Sequence, residues 1–169
     1  MADAGRVGRP TLEERAERWT LGIRTTTPFR GMFAVRDALL RDLSGWLEVR
    51  GLAATGPMLL RYHVIDMAGA MDIEVACVVP EQAEGDDRVL PGSLPAGTYA
   101  LLEYTRYAMR ANQALIGWAR EHGVAWDRWD APAGDAFRCR YEAFLTDPRI
   151  EPRRSAWRVE LAIKVAEPP

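Results

Sequence analysis

The chain has 169 residues, 48% of them hydrophobic, and a formal net charge of −2 at neutral pH. This suits one domain, or two half-domains sharing an interface, with a real apolar core. The weakly acidic balance argues against the basic face of a nucleic-acid binder, and no run reaches the ~18 apolar residues of a membrane span. The N-terminus is polar and charged, unlike a signal peptide, so a cytoplasmic protein is expected.

Residues 1–16 read as a tail that is flexible or briefly helical, because Thr11-Leu12-Glu13-Glu14 has the capping-box pattern. Trp19, Leu21 and Ile23 alternate with Thr20, Gly22 and Arg24, which predicts a strand broken by the stretch that contains Pro28. Val35, Leu39, Leu43, Trp46 and Leu47 share a helical stripe over 33–50, and Gly51 is placed to end that helix. Met58–Ile65 and Met71–Val79 read as strands. Pro80–Gly97 holds four acidic residues, three prolines and three glycines and reads as a linker. Thr98–Tyr104 is then a strand and 108–122 a helix with Ala111, Leu115, Trp118 and His122 on one face. Trp126–Trp129 and Pro132–Gly134 read as loop, with the two tryptophans either a lid or a contact surface. Phe137–Thr146 and Trp157–Val165 are the closing strands.

The chain says much of this twice. Leu43-Ser44-Gly45-Trp46 is echoed 72 residues later by Leu115-Ile116-Gly117-Trp118. Arg61-Tyr62-His63 aligns with Arg140-Tyr141-Glu142, and Asp72-Ile73-Glu74-Val75-Ala76 with Arg158-Val159-Glu160-Leu161-Ala162. The expectation is an α+β fold, a pseudo-twofold duplication of a β-α-β-β unit. Antiparallel sheets would carry one helix each around a central ligand cleft. The single domain would span 17–169, with halves at about 17–80 and 94–167.

Strand alternation sorts the side chains by face. With the aligned Arg-Tyr pairs held in phase, His63, Glu74, Glu142, Glu160 and Phe144 fall together on the helix-free face. Glu160 fits an ordinary solvated position. Glu142, beside Tyr141 and Phe144, does not, because an isolated buried carboxylate is costly and signals a partner or a function. In the other half His63 takes the place of Glu142. Cys77 and Cys139 fit buried hydrophobes, not a disulfide. His63 and His122 form no metal-ligand spacing with them, so neither metal nor cofactor is expected. No Gly-rich phosphate loop or G-x-S-x-G elbow is present.

The run Leu94-Pro95-Ala96-Gly97-Thr98-Tyr99-Ala100 resembles the opening of the second half of GyrI-like small-molecule-binding domains. Asp72-Ile73-Glu74-Val75, Arg140–Pro148 and Trp157-Arg158-Val159-Glu160-Leu161 are similar to that family's other signature stretches. The resemblance covers roughly 17–167. It implies a bacterial, stand-alone relative of the effector-binding domains of multidrug-sensing regulators, with a cleft for aromatic, cationic or polycyclic drug-like molecules. It implies Glu142 as the site's carboxylate, with Tyr141 beside it and Glu74, Trp157 and Tyr104 as further positions; strand alternation adds Phe144 and His63, and Tyr107 and Trp46, at the cleft's border, complete the expected ligand-binding set. It also implies two alternatives. One is a hydrolase that opens cyclopropane-bearing DNA-alkylating antibiotics, a resistance activity in which Glu142 and Glu74 divide acid and base roles and Tyr104 assists. The other is a protein that contacts and inhibits DNA gyrase. The family's Thr-Gly-Pro-Tyr near the cleft is replaced here by Thr105-Arg106-Tyr107, which bears on the role of Tyr107.

Overall fold

The structure, a computed structural model, describes residues 5–52 and 56–168. Ten strands and two helices are present among them: β1 (Thr11–Arg15), β2 (Arg18–Pro28), α1 (Met32–Val49), β3 (Met58–Ile65), β4 (Ala70–Val79), β5 (Leu90–Leu94), β6 (Gly97–Thr105), α2 (Ala108–Glu121), β7 (Arg128–Ala131), β8 (Gly134–Phe137), β9 (Arg140–Phe144) and β10 (Arg158–Lys164). A 3-10 turn at Arg154–Ala156 precedes β10.

The strands form one curled antiparallel sheet in the order β1-β6-β10-β9-β3-β4-β2-β5, with the β7–β8 hairpin attached to β3. The expectation of separate sheets for the two halves is corrected. β3 and β9 pair directly, Met58 opposite Phe144 and Leu60 opposite Glu142, so the seam is a continuous hydrogen-bonded ladder.

Both helices lie on one face of this sheet. α1 buries Met32, Arg36, Leu39, Leu40, Leu43 and Leu47, and α2 buries Ala111, Leu115 and Ala119. Beneath them lie Leu21, Ile23, Leu60, Ile73, Val75, Leu102, Leu161 and Ile163. The other face is not simply wet. Leu59, Val78, Tyr99, Leu101, Cys139, Tyr141 and Ala143 make a second, smaller apolar cluster there. Gly51, at φ 64°, follows the end of α1 in the left-handed conformation that a Cβ would penalise.

Three sequence-based expectations change. Thr11–Arg15 is a strand on β6, not a helical turn, because the edge of β6 offers unpaired backbone groups that an extended segment can meet. Its exposed Glu13 and Glu14 leave a charged edge that resists further pairing. The linker contains β5, paired with β2, and Asp86 ties it to α1 by accepting from the Trp46 indole at 2.7 Å. Residues 128–137 are a hairpin, not a loop; Trp126 bridges to Val165, and Trp129 stacks under Arg138. No helix among the described residues is long and apolar enough to cross a membrane.

Leu43 is fully buried between α1 and the sheet, whereas Val49 on the same helix is 83% exposed. Leu43→Ala is expected to cost about 2–5 kcal/mol in urea unfolding, and Val49→Ala within about 0.5 kcal/mol. Equal losses would mean that the helix is not held by its sheet-facing stripe.

Candidate functional site

The candidate site forms where β9 meets its neighbours under the helices. Glu142 sits mid-strand, with Leu161 of β10 opposite on one side and Leu60 of β3 on the other. Both leucines have no solvent exposure, and Glu142 is only 4% exposed. A carboxyl in such surroundings must find donors. It finds two phenols. Tyr62 donates to one carboxyl oxygen and Tyr104 to the other, each at 3.2 Å. Burial, then the charge of Glu142, holds both tyrosine hydroxyls well above their usual pKa, so they remain O–H donors.

Two residues along β9 lies Phe144, on the same face. Its ring meets that of Trp157 edge-on, with centroids 5.2 Å apart. Arg36, which interrupts the apolar stripe of α1, lays its guanidinium against these rings. Its central carbon is 5.8 Å from the Phe144 centroid, 5.4 Å from Trp157 and 4.7 Å from Phe33. Its ionic partner is Asp37 at 3.0 Å, which also holds Arg154 at 3.0 Å. On the α2 side, Arg140 donates to Asn112 at 2.8 Å and lies 4.8 Å from the Phe137 centroid. Its Nε is buried without a partner. Burial lowers the pKa of Arg140.

The sequence-predicted residues therefore divide. Glu142, Tyr104, Phe144 and Trp157 are brought together on the helix-covered face. Glu74, His63 and Tyr141 are not; they lie on the opposite face. This corrects the expected grouping of His63, Glu74, Glu142, Glu160 and Phe144. His63 Nε2 is 2.7 Å from Glu74, forming a pair of its own. Tyr141 accepts from Arg15 and Arg18 at 3.0 and 2.7 Å, and Arg15 also binds Glu160. The cause of the error is parity. Arg61 is directly opposite Tyr141 across the β3–β9 seam, and Leu60 opposite Glu142. Matching Arg61 to Arg140 shifts the comparison by one residue, and one residue exchanges the faces.

Trp46 and Tyr107 also stand apart. The Trp46 indole N–H is committed to Asp86 and its ring to Arg50 at 3.9 Å. Tyr107 precedes α2 with Arg110 4.6 Å above its ring. The neighbouring Arg106, where the family pattern has glycine and proline, adopts φ 71°. Sequence reasoning missed Tyr62, Arg36 and Arg140. Tyr62 was available as an aromatic inside a strand, and Arg36 as a charge in line with Met32, Leu39 and Leu43.

Among the described residues, Glu142 lines neither of the two cavities that stand out, one beside α1 and one at β2 and β5. A cavity of about 550 Å³ lies between α1, at Leu40, Ser44 and Leu47, Met58 of β3 and Pro148-Arg149. Glu142, Tyr62, Tyr104, Phe144, Trp157 and Arg36 are all buried. Among the described residues no group of three or more His, Cys, Asp or Glu is arranged to hold a metal ion. Cys77 and Cys139 are buried and free, and burial raises the Cys77 thiol to about 11.

No family model and no curated protein matches this chain. The fold is shared with solved structures at low identity. EcmrR in its complex with DNA matches with a TM-score of 0.72 at 16% identity, over 95% of this chain and 58% of that one. This chain thus spans little more than half of that EcmrR chain. The C-terminal domain of EcmrR matches with a TM-score of 0.68 at 14% identity, over 95% of this chain and 99% of the domain. SAV2435 bound to tetraphenylphosphonium matches with a TM-score of 0.59 at 10% identity, over 94% of each chain. These likenesses show a common fold.

Removing either phenol leaves one buried Glu142 oxygen without a donor. Tyr62→Phe and Tyr104→Phe are each expected to cost about 1–3 kcal/mol in chemical denaturation. The cost should shrink when Glu142→Gln is already present, and a double-mutant cycle reads that difference. Additive losses would mean that the hydroxyls are not held by the carboxyl.

Proposed function

We propose that this protein binds a small aromatic cation under its two helices, with Glu142 as the counter-charge and Phe144 and Trp157 as stacking partners. The observation that carries the reading is a carboxyl buried between leucines, oriented by two phenols, beside rings that already hold a guanidinium. A carboxylate attracts a cation more strongly in such poorly solvated ground than in water. Each cation–ring contact adds about 0.5–2 kcal/mol, more as the contact is desolvated. Support by analogy comes from SAV2435, whose bound tetraphenylphosphonium is a cation carrying four aromatic rings.

On this reading the seam is the meeting line of two copies of one β-α-β-β unit. The sheet order β2-β4-β3 followed by β9-β10-β6 supports that view. GyrI-like membership follows from the same reading. The hydrolytic alternative loses its paired carboxylates, since Glu74 faces away from Glu142 and is engaged by His63. It would have to run on Glu142 and the phenols alone.

Titration with rhodamine 6G and with tetraphenylphosphonium, followed by calorimetry, tests the binding reading. Glu142→Gln should weaken binding by about tenfold or more, the loss of one charged contact. Unchanged affinity in a folded variant would overturn the role of Glu142.

A further inference from the structure

Arg36 stands where the helix geometry calls for an apolar residue. It lies four residues after Met32, and three and four before Leu39 and Leu40, all buried on the sheet-facing stripe of α1. Its side chain does not swing out to water; Arg36 is only 8% exposed. A buried guanidinium is costly unless charges and rings surround it. Its carboxylate partner is the adjacent Asp37, and three aromatic rings have their centroids 4.7, 5.8 and 5.4 Å from its central carbon. Two of those rings, Phe144 and Trp157, are the ones available to a ligand beside Glu142. The guanidinium therefore occupies the position that an aromatic cation would take.

We infer that Arg36 is a resident cation that a ligand must displace, and that it tunes the site toward planar, delocalised cations such as amidiniums and aromatic iminiums. This rests on the binding reading above. The rings already face a flat, charge-delocalised group, so a flat cation can take its place without a net change of charge among them. A tetrahedral cation needs further opening. The displaced Arg36 has a route to water: Phe33, on its outer side, is 44% exposed, and Asp37 keeps Arg154 as its partner when Arg36 leaves. The loop from Phe144 to Trp157 is tied to α1 by that Arg154–Asp37 pair, so the cage stays closed around the incoming cation.

Affinity for rhodamine 6G and tetraphenylphosphonium should be measured for the natural protein, Arg36→Ala, Arg36→Met and Glu142→Gln. Arg36→Met keeps an unbranched, apolar stem against the rings in case Arg36→Ala does not fold. Both Arg36 variants should bind about tenfold more tightly, as loss of an internal competitor worth one or two cation–ring contacts requires. The gain should be larger for tetraphenylphosphonium, which the resident arginine handicaps more. A residue that only props up the site would weaken binding when removed, so a gain separates competition from support. In the natural protein, the Arg36 Nε–Hε resonance, displaced by ring currents, should move to the position of a solvent-exposed arginine at saturation.

If the Arg36 variants bind no more tightly while Glu142→Gln still weakens binding, the competitor role is overturned and the binding reading stands. An Arg36 resonance that stays in place at saturation overturns it too. If no form of the protein binds either cation, both fall.

Discussion

The arrangement around Glu142 depends on one constraint: a carboxyl group buried mid-strand between two leucines. Among the described side chains of β9, β10 and β3, it is Tyr62 that donates to it. The second donor comes from Tyr104 on β6, beyond β10. The carboxyl is satisfied only if β3, β9, β10 and β6 lie side by side in one register. A slip of one residue in β3 or β6 would turn a tyrosine to the other face and leave an oxygen bare, and a slip in β9 would turn Glu142 itself away. The polar contact thus specifies a pairing that apolar packing alone would leave more degenerate.

Local pattern was legible where it repeats with a clear period. The helices, and the long strands β2, β3, β4, β6 and β10, follow from the spacing of their apolar residues. What failed was phase between strands. The shared Arg-Tyr letters of β3 and β9 invite an alignment that the ladder does not use. β3 also changes register between Tyr62 and Val64, where an irregularity lets Val64 pair with Asp72. Nothing in the spacing of single residues announces such a shift. The N-terminal strand was obscured for a different reason. Thr11–Arg15 carries no apolar period of its own and becomes a strand because β6 has a free edge.

Arg36 was passed over because binary patterning discounts charges. The sequence stripe drawn through Val35, Leu39, Leu43, Trp46 and Leu47 shares Leu39, Leu43 and Leu47 with the stripe that packs, which also takes in Met32, Arg36 and Leu40. A single turn of helix fits either stripe when one candidate position is charged. Only the location of Phe144 and Trp157, brought together by β9 and the turn before β10, shows that a cation has somewhere to lie there. Partners supplied from distant segments are invisible to any local window.

The two faces of the sheet use charge under different conditions. On the open face, Arg15 bridges Glu160 and Tyr141, and His63 meets Glu74; the acidic groups there are engaged by basic side chains in partly exposed ground. On the helix-covered face, Glu142 is met by neutral phenols, while the two nearby guanidiniums turn to Asp37 and Asn112. A carboxyl held by neutral donors keeps its appetite for a cation, which a salt bridge would have consumed. Arg36 is near enough to share its ring neighbours, yet takes its ionic partner from its own helix. The site therefore stays electrostatically unfinished while remaining closed to water. That combination is expected where a mobile side chain stands in for something larger.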